Sequence, residues 1–201
     1  GVVRDITERK QRENEIHQLA FYDPLTLLPN RRLLLDRLAG AINHSARTGN
    51  FSAVLFLDLD NFKNLNDSAG HNKGDLLLCQ VAERLVNSVR QGDTVARLGG
   101  DEFVVIASDL SHDPTLAANH AERLAQKIAG NLTREYNLDG LTYNSSASIG
   151  VKLFNSENLP KEEIENIDIF LSIQGLKSFA EKRLKKATRT ELDEAIFFVI
   201  P

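Results

Sequence analysis

Residues 94–107, TVARLGGDEFVVIA, decide the fold. Two apolar runs flank Gly99-Gly100, and a glycine pair between such runs is a tight-hairpin signal. Upstream, residues 51–59 (FSAVLFLDL) are almost continuously apolar, the pattern of a strand buried on both faces, and close on Asp58, Leu59 and Asp60. Between these stretches Leu78, Val81, Leu85 and Val89 recur at helical spacing and predict an amphipathic helix over 74–90, with the Cys79 thiol packed beside its stripe. Downstream, Leu116, Ala117, Ala121, Leu124, Ile128 and Leu132 mark another helix. Alternation from Leu141 through Tyr143, Ser145, Ala147 and Ile149 to Val151 predicts one strand over 141–151. Asp23-Pro24 reads as a helix start, and Pro29-Asn30 as a further break before LLLDRL. A helix from about Pro160 and a strand at 196–200 (IFFVI) complete the chain. The expected fold class is therefore α/β, an α+β sandwich with a central sheet of mixed strand direction flanked by helices.

Composition narrows the function. The chain has 201 residues, 42% hydrophobic and 26% charged, which suits one globular domain with a sizeable core and a short appendage. Residues 5–18 (DITERKQRENEIHQ) are almost entirely polar, with Ile6 and Ile16 the only large apolar side chains, so 1–20 is expected to be a connecting helix, with a frayed terminal segment as the alternative, and 21–201 the domain. A formal charge of −4 and a pI near 5.8 give no basic excess, which argues against DNA, RNA or a membrane surface as a general partner. Cys79 is the single cysteine, so no internal disulfide forms and a reducing, cytoplasmic setting is expected. The five histidines lack metal-ligand spacing, and no apolar run reaches the ~18 residues of a membrane span. A start at Gly1 reads as a piece of something longer.

Three acids carry the chemical interest. Asp58 ends the apolar strand, and Asp101 and Glu102 follow the glycine pair. If the hairpin pairs beside strand 51–59, these carboxylates gather at one edge of the sheet, where like charges repel unless a cation neutralises them. Magnesium suits that role, being held by one or two carboxylates together with substrate phosphates. Glycine at 99 and 100 permits the tight turn and lets the backbone approach a ligand. The plain alternative is a solvated turn rich in Gly and Asp.

The order of the motifs adds a resemblance. Gly99-Gly100-Asp101-Glu102-Phe103, preceded by Arg97-Leu98, follows DPLTLLPNRR at 23–32, FLDLDNFKNLND at 56–67 and GHNKGD at 70–75. In these blocks and their order the sequence resembles the GGDEF-domain family of diguanylate cyclases, whose fold is like that of nucleotide cyclases and polymerase palm domains. The leading VVRDITERK looks like the end of an upstream PAS-type sensory domain. The resemblance implies that two GTP molecules are joined into cyclic di-GMP with release of two pyrophosphates, across a homodimer. It also implies Mg2+ or Mn2+ ions held by Asp58 and Asp101, with the Leu59 carbonyl as a further ligand, and Glu102 either helping to activate the attacking hydroxyl or serving as another metal ligand. Asn66 and Asp75 match the residues that read guanine; alone they would be a turn former and a helix cap. Lys63 matches a phosphate-contacting lysine, with a solvated surface charge as its plain alternative. Gly99, Gly100 and Arg97 fall beside the substrate phosphates, although Arg97 also fits as a residue flanking its strand. Arg90-Gln91-Gly92-Asp93 fits the family's RxxD inhibitory product site, where Arg90 and Asp93 would take cyclic di-GMP; a surface ion pair is the alternative.

The C-terminal part departs from the family pattern from about residue 169. Gly175 falls where a phosphate-binding lysine belongs, and with a two-residue insertion Lys177 takes that place while Glu181 meets the expected arginine. From Lys177 to Arg189 the chain carries six basic residues and one acidic one. This departure keeps a second reading open, a catalytically weak or inactive domain that binds GTP or cyclic di-GMP and regulates a partner.

Overall fold

The computed structural model describes residues 10, 12, 15–155 and 199–200. Helix α1 covers 15–21, followed by α2 (Arg31–Thr48), β1 (Phe51–Leu59), α3 (Phe62–Ala69) and α4 (His71–Ser88). Strands β2 (Thr94–Gly99) and β3 (Glu102–Ser111), helix α5 (Pro114–Leu132), and strands β4 (Tyr136–Leu138), β5 (Leu141–Tyr143), β6 (Ala147–Phe154) and β7 (Val199–Ile200) complete the order. The main sheet runs β2-β3-β1-β6-β7, and β4-β5 form a separate small hairpin.

Every described pairing in the sheet is antiparallel, which corrects the expected mixture of strand directions. The helical crossovers do carry the chain back to the end where the earlier strand began, so β1 and β2 run the same way, as do β3 and β6. Each such pair is split by a strand of opposite direction: β3 lies between β2 and β1, and β1 between β3 and β6. The result is the split β-α-β arrangement of ferredoxin-like sheets.

The pleat of β1 sorts the core. Ala53, Leu55, Leu57 and Leu59 face a cluster with Leu77, Val81 and Leu85 of α4 and Ala121, Ala125 and Ile128 of α5. Val54 and Phe56 face the other way, packing with Leu34, Leu38 and Ile42 of α2 and with Val104 and Ile106 of β3. A fully buried Leu of this kind stabilises the fold by about 1.5–3 kcal/mol relative to exposure. Helices therefore cover both sides of β1, which explains its unbroken apolar run.

Local signals account for most element ends. The Asn30 side chain accepts from the Arg32 and Leu33 amides at 2.9 and 3.2 Å and caps α2, as Pro29-Asn30 foretold. Asp23-Pro24 opens a turn and not a helix: Asp23 Oδ2 accepts from the Thr26 amide at 2.8 Å and its hydroxyl at 2.7 Å. Those bonds hold the carboxylate where a helix cap would use it. Residues 141–151 are two strands and not one. Leu141–Tyr143 pairs with Tyr136–Leu138, while Ala147–Phe154 pairs with β1, the break falling at 144–146. The Cys79 thiol is half-buried and donates to the Leu25 carbonyl at 3.5 Å. Burial, and then the charge of Asp75, push it above its ordinary pKa, so it behaves as a packed thiol. The helix expected from Pro160 and the basic stretch 177–189 lie outside the described residues; of the last strand, Val199 and Ile200 pair with Gly150 and Ile149.

Candidate nucleotide site

Asp58 is the penultimate residue of β1 and Glu102 the first of β3, and they are directly paired across the two strands. Side chains so paired stand on one face of the sheet, and like charges in this position destabilise it. On its other flank Asp58 pairs with Ser148 of β6. The turn joining β2 to β3 is closed by Gly99 and Gly100, at φ 144° and 55°, positive values that any residue carrying a Cβ adopts only at a cost. Asp101 follows, and its carbonyl accepts the Leu59 amide at 3.3 Å, fastening the turn to the end of β1.

A cavity of about 560 Å3 opens there, lined by Asp58, Leu59, Asp60, Lys63 and Asp101, with Ser146 on its β6 side. Thus the structure brings together the two acids expected to hold a metal, the expected carbonyl donor and the expected phosphate lysine. All are oxygen donors apart from Lys63, the donor type that magnesium prefers. Among the described residues no group of three His, Cys, Asp or Glu side chains is placed to hold a metal. No membrane-spanning helix is present among the described residues.

Sequence reasoning missed Asp60 and Ser146. Ser146 and Ser148 donate to the Asp60 carboxylate at 2.5 and 3.0 Å, and the Asp60 amide donates to the Ser146 carbonyl at 2.9 Å. This clamp ties the segment leaving β1 to the start of β6. The alternating Asp58-Leu59-Asp60 was a visible signal, but its serine partners lie more than eighty residues away.

Asn66 and Asp75 lie outside that cavity's lining, on α3 and α4. Asp75 is exposed, whereas the Asn66 Oδ1 is buried without a hydrogen-bond partner.

Two expected contacts take a different form. Arg97 does not stand free to meet a phosphate. Its guanidinium donates through NH1 to both Asp23 oxygens at 3.0 Å, and through Nε and NH2 to the Gly100 carbonyl at 3.1 and 2.8 Å. Both side chains are largely buried, 10% exposed for Arg97 and 15% for Asp23. Burial alone would raise the Asp23 pKa; the Thr26 bonds and then Arg97 outweigh it and hold the carboxyl below its ordinary range. Arg97 therefore braces the turn against the 23–29 loop, to which its own amide also bonds through the Pro29 carbonyl at 3.0 Å.

Asp93, expected with Arg90 to take cyclic di-GMP or to form an ion pair, is 4% exposed and accepts from Arg90 Nε at 3.2 Å and the Ser108 amide at 3.3 Å. Arg90 is 58% exposed and also donates to the Ser108 and Asp109 carbonyls. Cavities of about 470 and 400 Å3 adjoin it, the first lined also by Arg37 and His44 of α2, the second by Arg37, Val86 and Asp93. Of the pair, Arg90 is the more exposed, and Asp93 holds its guanidinium in place. At the cavity wall, a 2.6 Å bond from Asn50 and then the neighbouring His44 and Arg90 hold the Asp109 carboxyl below its usual range.

A split β-α-β sheet with Asp58 and Asp101 at a polar cavity is the frame of a palm-like domain. Residues 20–181 match the family described as diguanylate cyclase, GGDEF domain, and the chain belongs to that family. It is 44% identical over 158 residues to the bifunctional diguanylate cyclase/cyclic di-GMP phosphodiesterase MucR of Pseudomonas aeruginosa, covering 79% of this chain and 22% of that protein. Diguanylate cyclase TpbB of the same species is 36% identical over 180 residues, covering 88% of this chain and 40% of TpbB. The crystal structure of a sensory box/GGDEF family protein from Caulobacter crescentus superposes with a TM-score of 0.63 at 36% identity, covering 79% of this chain and 98% of that one. The chain thus spans less than half the length of these curated relatives.

Proposed function

We propose that this domain is a diguanylate cyclase that condenses two GTP molecules into cyclic di-GMP. The observation that carries the reading is the convergence of Asp58, Leu59, Asp101 and Lys63 on one cavity at the end of β1. Two like domains face each other, each holding one GTP. The 3′-hydroxyl of one nucleotide attacks the α-phosphorus of the other, its proton passes to Glu102 or water, and pyrophosphate leaves; the same step repeated closes the ring. Such transfer depends on alignment and charge neutralisation more than on covalent chemistry by the protein. Asp58, Asp101 and the Leu59 carbonyl would hold magnesium or manganese, which supplies positive charge to the attacking and leaving oxygens. Lys63 neutralises the triphosphate, Asn66 and Asp75 read the guanine, and Gly100 with Arg97 sets the position of Asp101.

Arg90, oriented by Asp93, takes the product cyclic di-GMP and restrains turnover. An upstream sensory segment, delivered through α1, brings two domains together in the cytoplasm. Incubating the protein with GTP and magnesium and separating the nucleotides tests the reading. Asp101→Ala is expected to lower cyclic di-GMP formation by at least about a hundredfold. Tight GTP binding by the unmodified protein without turnover at any protein concentration would instead make it a nucleotide-binding regulatory module, as the departure after residue 169 would favour.

A further inference from the structure

Gly74 sits in the first turns of α4, and its backbone, unlike that of Gly99 or Gly100, is in no left-handed conformation. A helical glycine is less favourable than alanine, so a glycine there needs a reason other than its backbone. The reason lies on α3. A Cβ built at Gly74 would stand 2.0 Å from Asn66 Oδ1, 3.0 Å from Asn66 Cγ and 3.3 Å from Phe62 Cε2. The Asn66 amide thus occupies the place where a side chain at 74 would begin. Its Oδ1 is buried there with no partner, which carries a desolvation cost and fixes how closely the amide is pressed against α4. The amide nitrogen makes no hydrogen bond either, and the residue is only partly buried, so its donor is the end left to offer. Asp75 follows Gly74 directly and is exposed.

We propose that Gly74 is a positioning residue for base recognition. Its missing Cβ lets the Asn66 amide lie against the first turns of α4, beside Asp75. There the amide N–H donates to an acceptor on the guanine while the carboxylate accepts from its N–H groups. The proposal rests on the reading that Asn66 and Asp75 take the guanine, and it adds the residue that sets the amide's place. The atom in the way is the far end of a side chain, so alanine at 74 displaces the amide and leaves the fold standing.

The test is a cycle of Gly74→Ala, Asn66→Ala and the double variant in the 201-residue chain, with GTP affinity by calorimetry and melting temperature for each. Gly74→Ala is expected to weaken GTP binding about three- to tenfold, the loss of one hydrogen bond, without lowering the melting temperature. On the Asn66→Ala background the same change is expected to cost nothing further. Wild-type GTP affinity in Gly74→Ala overturns the proposal and leaves the guanine reading standing. So does an equal loss on both backgrounds, since Gly74 would then act otherwise than through Asn66. Wild-type affinity in Asn66→Ala overturns the guanine reading and the proposal together. If Gly74→Ala fails to fold, a folded double variant with the affinity of Asn66→Ala supports the proposal, and an unfolded one overturns it.

Discussion

Arg97 joins two stretches that the chain separates by more than seventy residues, and this makes a double-variant cycle informative. Arg97→Leu removes the paired bonds to Asp23 and the two donors to the Gly100 carbonyl. Hydrogen bonds to charged groups contribute about 1.5–3 kcal/mol each, so losing both partners is expected to cost about 3–5 kcal/mol. Asp23→Ala keeps the Gly100 contact but loses the ion pair and the Thr26 bonds, at a cost of about 2–4 kcal/mol. Because the pair is largely buried, solvent screening discounts little, and the coupling between the two changes is expected at about 1.5–3 kcal/mol. Urea denaturation followed by far-ultraviolet circular dichroism, with unchanged m-values, measures each corner of the cycle.

The pH dependence has a definite sign. Asp23 is held below its ordinary value of 3.8 in the folded protein. The unfolded carboxyl therefore takes up its proton first on acidification, and the bridge stabilises the fold fully above that ordinary value. The contribution fades as pH falls through the lower, folded value. The coupling should be equal at pH 7 and pH 5 and smaller at about pH 3. A coupling below about 0.5 kcal/mol at pH 7, or one that persists undiminished at pH 3, would refute the brace.

Two further outcomes follow from single positions. Gly100 has a φ of 55° and open space where a Cβ would go. Gly100→Ala should cost about 1–2 kcal/mol through the backbone alone, and Gly100→Asn less, as read by urea midpoints. The Tyr136 hydroxyl is buried and makes no well-formed hydrogen bond, while the Arg84 guanidinium lies over the ring, 3.5 Å from its centroid, and counters the effect of burial on the hydroxyl's pKa. Tyr136→Phe should therefore leave stability unchanged or raise it by about 1 kcal/mol, and a loss larger than that would mean the hydroxyl has a partner after all.

Much of this was legible because it is local. The Gly99-Gly100 turn, the apolar run of β1 and the Asn30 cap each show in a few consecutive residues, and each formed as read. The misreadings concern partners distant in sequence. Asp23 looks like a helix cap until Thr26 and Arg97 are seen to occupy its oxygens. Arg97 looks like a free cation until the 23–29 loop is brought beside it. Alternation over 141–151 survives a change of sheet, because β5 and β6 each keep a period of two while pairing with different strands. The seating of Asn66 on Gly74 is likewise invisible in sequence, since nothing there says that two adjacent helices touch at these residues.

Strand direction decides whether the acids can act together at all. A strand paired antiparallel to β1 has its start beside the end of β1, and β3 starts at Glu102. The turn that carries Gly100 and Asp101 is therefore delivered to Asp58 by pairing alone. Strand β6 is antiparallel to β1 as well, so its start brings Ser146 and Ser148 to the same end. Had β3 been laid parallel to β1, the turn would have emerged at the Phe51 end, a full nine-residue strand away, roughly 30 Å at 3.3 Å per residue. The carboxylates would then be independent surface charges. Inserting β3 and β6 on either side of β1 gathers three chain segments at one edge, and that edge is where the cavity opens.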